Sequence, residues 1–153
     1  MPEKNDDNQL ELLHDRYQLE KLIARGGMAE VFLAHDTMLD RRVAVKILFP
    51  EYAREESFVE RFRREAQAAA NLNHPNIVAI YDWGKSKDSY FIVMEYVEGK
   101  SLREKLIDDG PIDSDVLAEI AADVSSALAY AHQNGIVHRD IKPGNILIKK
   151  SGK

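Results

Sequence analysis

The run Ile136-Val-His-Arg-Asp-Ile-Lys-Pro-Gly-Asn-Ile-Leu-Ile148 limits what this chain can fold into more than any other stretch. Its ends, Ile136-Val137 and Ile146-Leu-Ile148, are apolar and β-prone. Between them Pro143 removes a backbone donor and Gly144 relaxes the backbone, so the run predicts a fixed loop between two short strands rather than a helix. That loop confines a carboxylate (Asp140), an ammonium (Lys142) and an amide (Asn145). Asp140 can accept a proton or position a hydroxyl. Lys142 can neutralise developing negative charge, and Asn145 offers a carbonyl oxygen to a hard cation such as magnesium. Together they suit transfer of a phosphoryl group, where positioning and charge stabilisation supply most of the catalysis.

Composition narrows the setting. The 153 residues are enough for one modest domain with a real core. A net charge of −5 argues against a dedicated nucleic-acid binder, and no nucleic-acid partner is expected. Cysteine is absent, which excludes a disulfide framework and a thiolate metal site and fits a reducing compartment. The five histidines show no metal-ligand spacing. No apolar run approaches membrane-spanning length, and the N-terminus has no apolar signal core. The expectation is a cytoplasmic chain with no membrane segment of its own, although a longer product could carry an anchor.

Taken in order, residues 1–15 read as a flexible acidic tail, with Leu10, Leu12 and Leu13 expected to stay undocked. Tyr17–Ile23 alternates as a first strand. The small-residue turn Ala24-Arg-Gly-Gly-Met-Ala29 follows, then a second strand over Glu30–His35. Gly26 and Gly27 lack a Cβ, so backbone amides there can approach phosphate oxygens closely, although most glycine-rich hairpins are only turns. Asp36–Arg42 is a polar connection. Val43–Phe49 is a third strand, placing Ala44, Lys46 and Leu48 on one face and Val43, Val45 and Ile47 on the other. A lysine in such a strand either faces water from a sheet edge or needs a partner.

A helix is expected from about Ser57 to Leu72, with Phe58, Phe62, Ala69 and Leu72 on one face and Glu65 among them. A glutamate in an apolar stripe demands a cation, and Lys46 is the obvious candidate. Asn73-His-Pro-Asn76 ends the helix. Ile77–Tyr81 and Tyr90–Val97 complete five strands. Glu98-Gly99-Lys100 reads as a linker. Ser101-Leu-Arg-Glu104 is a capping box opening a short helix to about Asp109, broken at Gly110-Pro111. Asp113 caps a longer helix to about Asn134, with Val116, Ile120, Val124, Ala127, Leu128 and Ala131 on one face and Gly135 as its stop.

The order His138-Arg139-Asp140-Ile141-x-x-x-Asn145 resembles the catalytic-loop signature of eukaryotic-type protein kinases, and Lys142-Pro143 looks like their serine/threonine branch. Val43-Ala-Val-Lys46 resembles the family's Val-Ala-Ile-Lys motif. Gly26-Gly-Met-Ala-Glu-Val31 is similar to bacterial members, although the three glycine positions of the family pattern read Ala24, Gly26 and Ala29 here. The chain is thereby identified as resembling bacterial eukaryotic-type serine/threonine kinases over residues 16–153, about half of a kinase domain. It ends before an Asp-Phe-Gly motif.

The resemblance implies an α+β, protein-kinase-like fold. Residues 16–97 would form a five-stranded antiparallel N-lobe with helix C. Residues 98–153 would form the hinge, the first helices and the catalytic loop of a truncated helical C-lobe. It implies Mg-ATP and protein serine or threonine hydroxyls as reactants. Asp140 would orient and deprotonate the hydroxyl, Lys142 would stabilise charge, Asn145 would bind magnesium, and Lys46 would position phosphates, held by Glu65. Ile23, Ala24, Arg25, Gly26, Gly27, Met28, Ala29, Glu30 and Val31 would cover the nucleotide. Ala44 would roof the adenine about 6.6 Å along the strand from Lys46. Met94 would stand behind the base, backbone groups of Glu95 and Val97 would bond it, and Leu147 would form its floor. A non-catalytic nucleotide-binding or partner-binding fragment is the alternative reading, and self-association as a homodimer is left open.

Overall fold

The structure is a computed structural model, and it describes residues 12–86, 88–137 and 141–150. The described residues divide into two compact units, one within residues 1–70 and 80–96 and the other within residues 71–79 and 97–153.

The first unit is built on an antiparallel sheet. Its strands are β1 (Leu12–Leu13), β2 (Tyr17–Arg25), β3 (Ala29–Asp36), β4 (Arg41–Leu48), β5 (Ile80–Ser86) and β6 (Ser89–Glu95), in the order β1-β2-β3-β4-β6-β5. Five antiparallel strands are present as expected, although the one expected over Ile77–Tyr81 shares only Ile80 and Tyr81 with β5, and a two-residue strand is added at one edge. Two helices follow β4: α1 (Pro50–Ala53), with Pro50 at its first position, and α2 (Glu56–Ala70). Proline starts a helix readily because its missing N–H would have had no partner there.

Side-chain alternation gives each sheet face its own core. On one face Leu13, Tyr17, Ala34, Val43, Val45, Phe91 and Val93 pack together. On the other, Ala29, Leu48 and Ile92 meet Val59, Phe62 and Ala66 of α2. Leu13 is 2% exposed and pairs with Tyr17 in the sheet. The expectation of an undocked tail through residue 15 is thus corrected at its last residues. His14 and Asp15 turn the chain with positive φ, and His14 Nε2 meets the Lys85 carbonyl at 2.6 Å. A Cβ on Gly84 would collide with the His14 and Phe91 rings, so the missing side chain lets this turn settle.

Asp36 was expected in a polar connection; instead it closes β3 and is buried. Arg16 donates to both of its oxygens at 2.9 Å, and the Met38 and Leu39 amides donate to Oδ1. One carboxylate therefore ties the start of β2 to two amides of the β3–β4 turn. The Arg16 bond, chiefly, holds the Asp36 carboxyl down at about 2. Tyr17, whose hydroxyl donates to Asp82 at 2.7 Å, has its pKa raised, first by burial and then by that bond.

The second unit contains β7 (Gly99–Ser101), α3 (Leu102–Asp109), α4 (Ser114–Gln133), a 3-10 turn at Pro143–Asn145 and β8 (Leu147–Lys149). The capping box forms as expected: Glu104 N–H donates to Ser101 Oγ at 3.1 Å, and Ser101 N–H donates to Glu104 Oε1 at 3.2 Å. Gly110 and Gly135 follow α3 and α4 with φ of 74° and 76°, a conformation costly for residues with a Cβ. Only Ala127 and Ala131 of the expected α4 face are buried, and Val116 is exposed.

Three sequence expectations are corrected in this unit. Ile136–Val137 is not a strand, and Gly99 is not linker but strand: β7 pairs antiparallel with β8. A Cβ on Gly99 would overlap the Ile148 carbonyl, so this pairing exists because the residue is glycine. Residues 77–79, expected in a strand, also lie outside the sheet. Their segment is committed to α4: the Asn73 amide donates to the Tyr130 hydroxyl at 3.0 Å, and His74 Nε2 lies 3.2 Å from Ser126 Oγ.

Candidate active site

Four strands of the first unit bring most of the expected nucleotide-binding residues together. Register places Val31 beside Lys46, Lys46 beside Ile92, and Ala44 between Leu33 and Met94. Directly paired residues share a sheet face, so Val31, Ala44, Lys46 and Met94 all point to the α2 side. Ala44 is buried, whereas Val31, Lys46 and Met94 are half-buried. The β2–β3 hairpin closes through Gly26 N–H donating to the Ala29 carbonyl at 2.8 Å. The Phe49 amide donates to the Met28 carbonyl, and Met28 packs on the α2-side core. Nothing lies within 4 Å of a Cβ built on Gly27, so a ligand has room at that backbone. Ile23, Ala24 and Arg25 are exposed on β2, and Arg25 stacks over Phe49 at 5.3 Å.

The expected Lys46–Glu65 ion pair is not formed. The buried stripe of α2 is Val59, Phe62 and Ala66, and Glu65, about 100° around the helix from Ala66, faces solvent. The stripe that sequence periodicity suggested was rotated by roughly one residue. The Lys46 ammonium lies instead over the Phe62 ring, 5.9 Å from its centroid. Phe62 reads from the sequence as core alone, and its place on the apolar stripe of the helix is the signal that ties it to Lys46. A shallow recess of about 350 Å³ between α2 and β5, lined in part by Arg63, Gln67, Ala70 and Tyr81, contains none of the expected site residues.

In the second unit, Lys142 precedes the 3-10 turn in extended conformation, and the Asn145 amide donates to its carbonyl at 2.9 Å. Pro143 starts that turn, as its fixed φ favours. Both side chains are exposed, as is Leu147 on β8. The β7–β8 pairing extends through Lys150 N–H to the Glu98 carbonyl and Leu102 N–H to the Ile146 carbonyl, anchoring the chain just after Asn145. Val97 begins the longer segment of this unit and is half-buried; Glu95 ends β6 in the other. Asp140, with His138 and Arg139, lies outside the described residues.

An antiparallel sheet with a lysine on a central strand, a glycine turn beside it and one helix packed behind it defines a known class. The protein kinase domain model matches residues 17–153, and the chain belongs to that family. It is 56% identical over 137 residues to the serine/threonine-protein kinase PrkC of Bacillus subtilis, covering 90% of this chain and 21% of PrkC. It is 54% identical over 140 residues to PknB of Mycobacterium leprae, covering 89% and 22%. The crystal structure of the Mycobacterium tuberculosis PknI kinase domain superposes with a TM-score of 0.74 at 34% identity, covering 88% of this chain and 55% of that one. The chain thus spans about a fifth of the length of the curated relatives it matches. No helix among the described residues is long and apolar enough to cross a membrane.

Proposed function

We propose that this chain carries the nucleotide-binding part and the catalytic loop of a serine/threonine protein kinase, which transfers the γ-phosphoryl group of Mg-ATP to protein hydroxyls. The observation that carries this reading is the common sheet face of Val31, Ala44, Lys46 and Met94 beside the open turn at Gly27. The residues fit the nucleotide in kind. The exposed backbone at Gly27 suits phosphate oxygens, Lys46 brings a positive charge to the same face, and Ala44 is small enough to lie against a flat base. Asn145 supplies an oxygen of the type magnesium accepts, and magnesium is held by one or two protein groups together with substrate phosphates. Bound magnesium would neutralise charge on the phosphates. Asp140 would orient the attacking hydroxyl and take its proton, and Lys142 would offset the charge that develops on the transferred group.

A second reading, a nucleotide-binding chain without transfer, is favoured by one observation: Lys46 and Glu65 are apart. The two separate in one experiment. The chain is incubated with radiolabelled Mg-ATP and a serine/threonine-bearing acceptor protein, with Asp140→Asn alongside. On the kinase reading label is transferred, and Asp140→Asn lowers the rate by about a hundred-fold or more. Nucleotide binding with no transfer by the unaltered chain would leave the second reading standing and remove the first for this chain.

A further inference from the structure

We propose that Phe62 is a positioning residue for Lys46: without nucleotide, the ring face of Phe62 holds the ammonium, and Trp83 and Tyr90 fix that ring in place. The proposal extends the nucleotide-binding reading and rests on it only for its final step, release by ATP.

The argument begins with the lysine. Lys46 is half-buried on a central strand, between Val31 and Ile92, where a bare ammonium loses hydration without return. The carboxylate expected to compensate it faces solvent on the exposed side of α2. What lies near the ammonium is an aromatic face, with Nζ 5.9 Å from the Phe62 centroid, inside the range over which a ring quadrupole attracts a cation.

That ring cannot easily turn away. Phe62 is 4% exposed and belongs to the core under α2. Its centroid lies 5.4 Å from that of Trp83 at an interplanar angle of 50°, and Trp83 lies 5.6 Å from Tyr90 at 31°. The three rings form a series from the helix across β5 to β6. A tryptophan and a tyrosine on paired strands thereby set the rotamer of a helix side chain, which in turn sets where the lysine rests. Rotating α2 to bring Glu65 toward Lys46 would have to break this ring packing, so the aromatic series and the ion pair are alternatives.

A ring face is a weaker partner than a carboxylate or a phosphate, because it offers a quadrupole rather than a net charge. It can therefore keep the ammonium ordered and still surrender it to a triphosphate. Removing the ring removes a competitor for Lys46, so Phe62→Leu should tighten Mg-ATP binding by about two- to five-fold.

The test uses the full chain and the NMR signal of the Lys46 ε-methylene protons, assigned by its loss in Lys46→Arg. Protons above an aromatic face shift upfield. The expected result is an upfield Lys46 signal in the free chain, retained in Phe62→Tyr, moved to the ordinary lysine position in Phe62→Leu, and released downfield by Mg-ATP. An ordinary lysine shift in the unaltered free chain overturns the proposal, and that measurement depends on no variant's folding. An upfield signal that survives Phe62→Leu, in a variant with a cooperative melt, overturns it too. An upfield signal lost in Phe62→Leu but unmoved by Mg-ATP upholds the holding role of Phe62 and counts instead against the nucleotide-binding reading.

Discussion

Asp36 does at one position what several residues would otherwise share: it binds Arg16 through both oxygens and accepts from two turn amides. Those bonds favour its ionised form, and its carboxyl is lowered to about 2 from an ordinary value of 3.8. A carboxyl depressed on folding contributes stability that is fully present above its unfolded value and is lost as pH falls toward the folded one. Between about pH 4 and pH 2 the chain should lose on the order of 2 kcal/mol from this group. Urea midpoints measured across that window check it: the unaltered chain should fall steeply, and Asp36→Asn, already weaker at neutral pH, should show a shallower slope. Nothing in the local sequence marked Asp36 for this role, since an aspartate opening a connection that also holds Asp40, Arg41 and Arg42 reads as solvated. Its partner Arg16 is twenty residues away, and only the β2–β3 pairing brings them together. Lys46 shows the reverse case. Its awkwardness in an apolar strand was legible, but which group relieves it was decided by the rotation of α2.

Elements whose signals are local were legible nearly to the residue. The capping box at Ser101, the glycine stops at Gly110 and Gly135, and the alternation of β4 all concern neighbours within one turn or one pleat. Elements defined by a distant partner were not. The two-residue strand β1 carries almost no periodicity, and it is held by the burial of Leu13 against Tyr17, Phe91 and Val93. Leu13→Ala should therefore cost about 2–5 kcal/mol in equilibrium urea unfolding, as for other leucines lost from a packed core. A change below about 0.5 kcal/mol would mean that residues 12–15 lie on the sheet without stabilising it. The same logic explains β7 and β8. Their residues read as a linker and as the strand after the loop, yet they pair with each other because Gly99 leaves space for the Ile148 carbonyl.

For the molecule as a whole, the proposed nucleotide binding is what would link the fold to the proposed function. A ligand that binds only the folded chain stabilises it by mass action, by about 2.7 kcal/mol at a hundred times its dissociation constant. Mg-ATP should accordingly raise the melting temperature of the unaltered chain, and Lys46→Met should remove most of that rise while leaving the ligand-free melt nearly in place. An equal rise in both would place the nucleotide somewhere other than beside β4. The sequence by itself determined the family, the five-stranded antiparallel plan with four of its strands close to their bounds, the helices α2, α3 and α4, and the residue types of the candidate site, because these follow from local periodicity, capping chemistry and motif order. Tertiary structure alone decided that Leu13 joins the sheet, that residues 77–79 leave it, that Asp36 is buried on Arg16, and that Lys46 rests on Phe62 rather than on Glu65. Each of those depends on groups far apart in the chain meeting after collapse, and short-range patterns carry no information about which of several available partners packing will bring within reach.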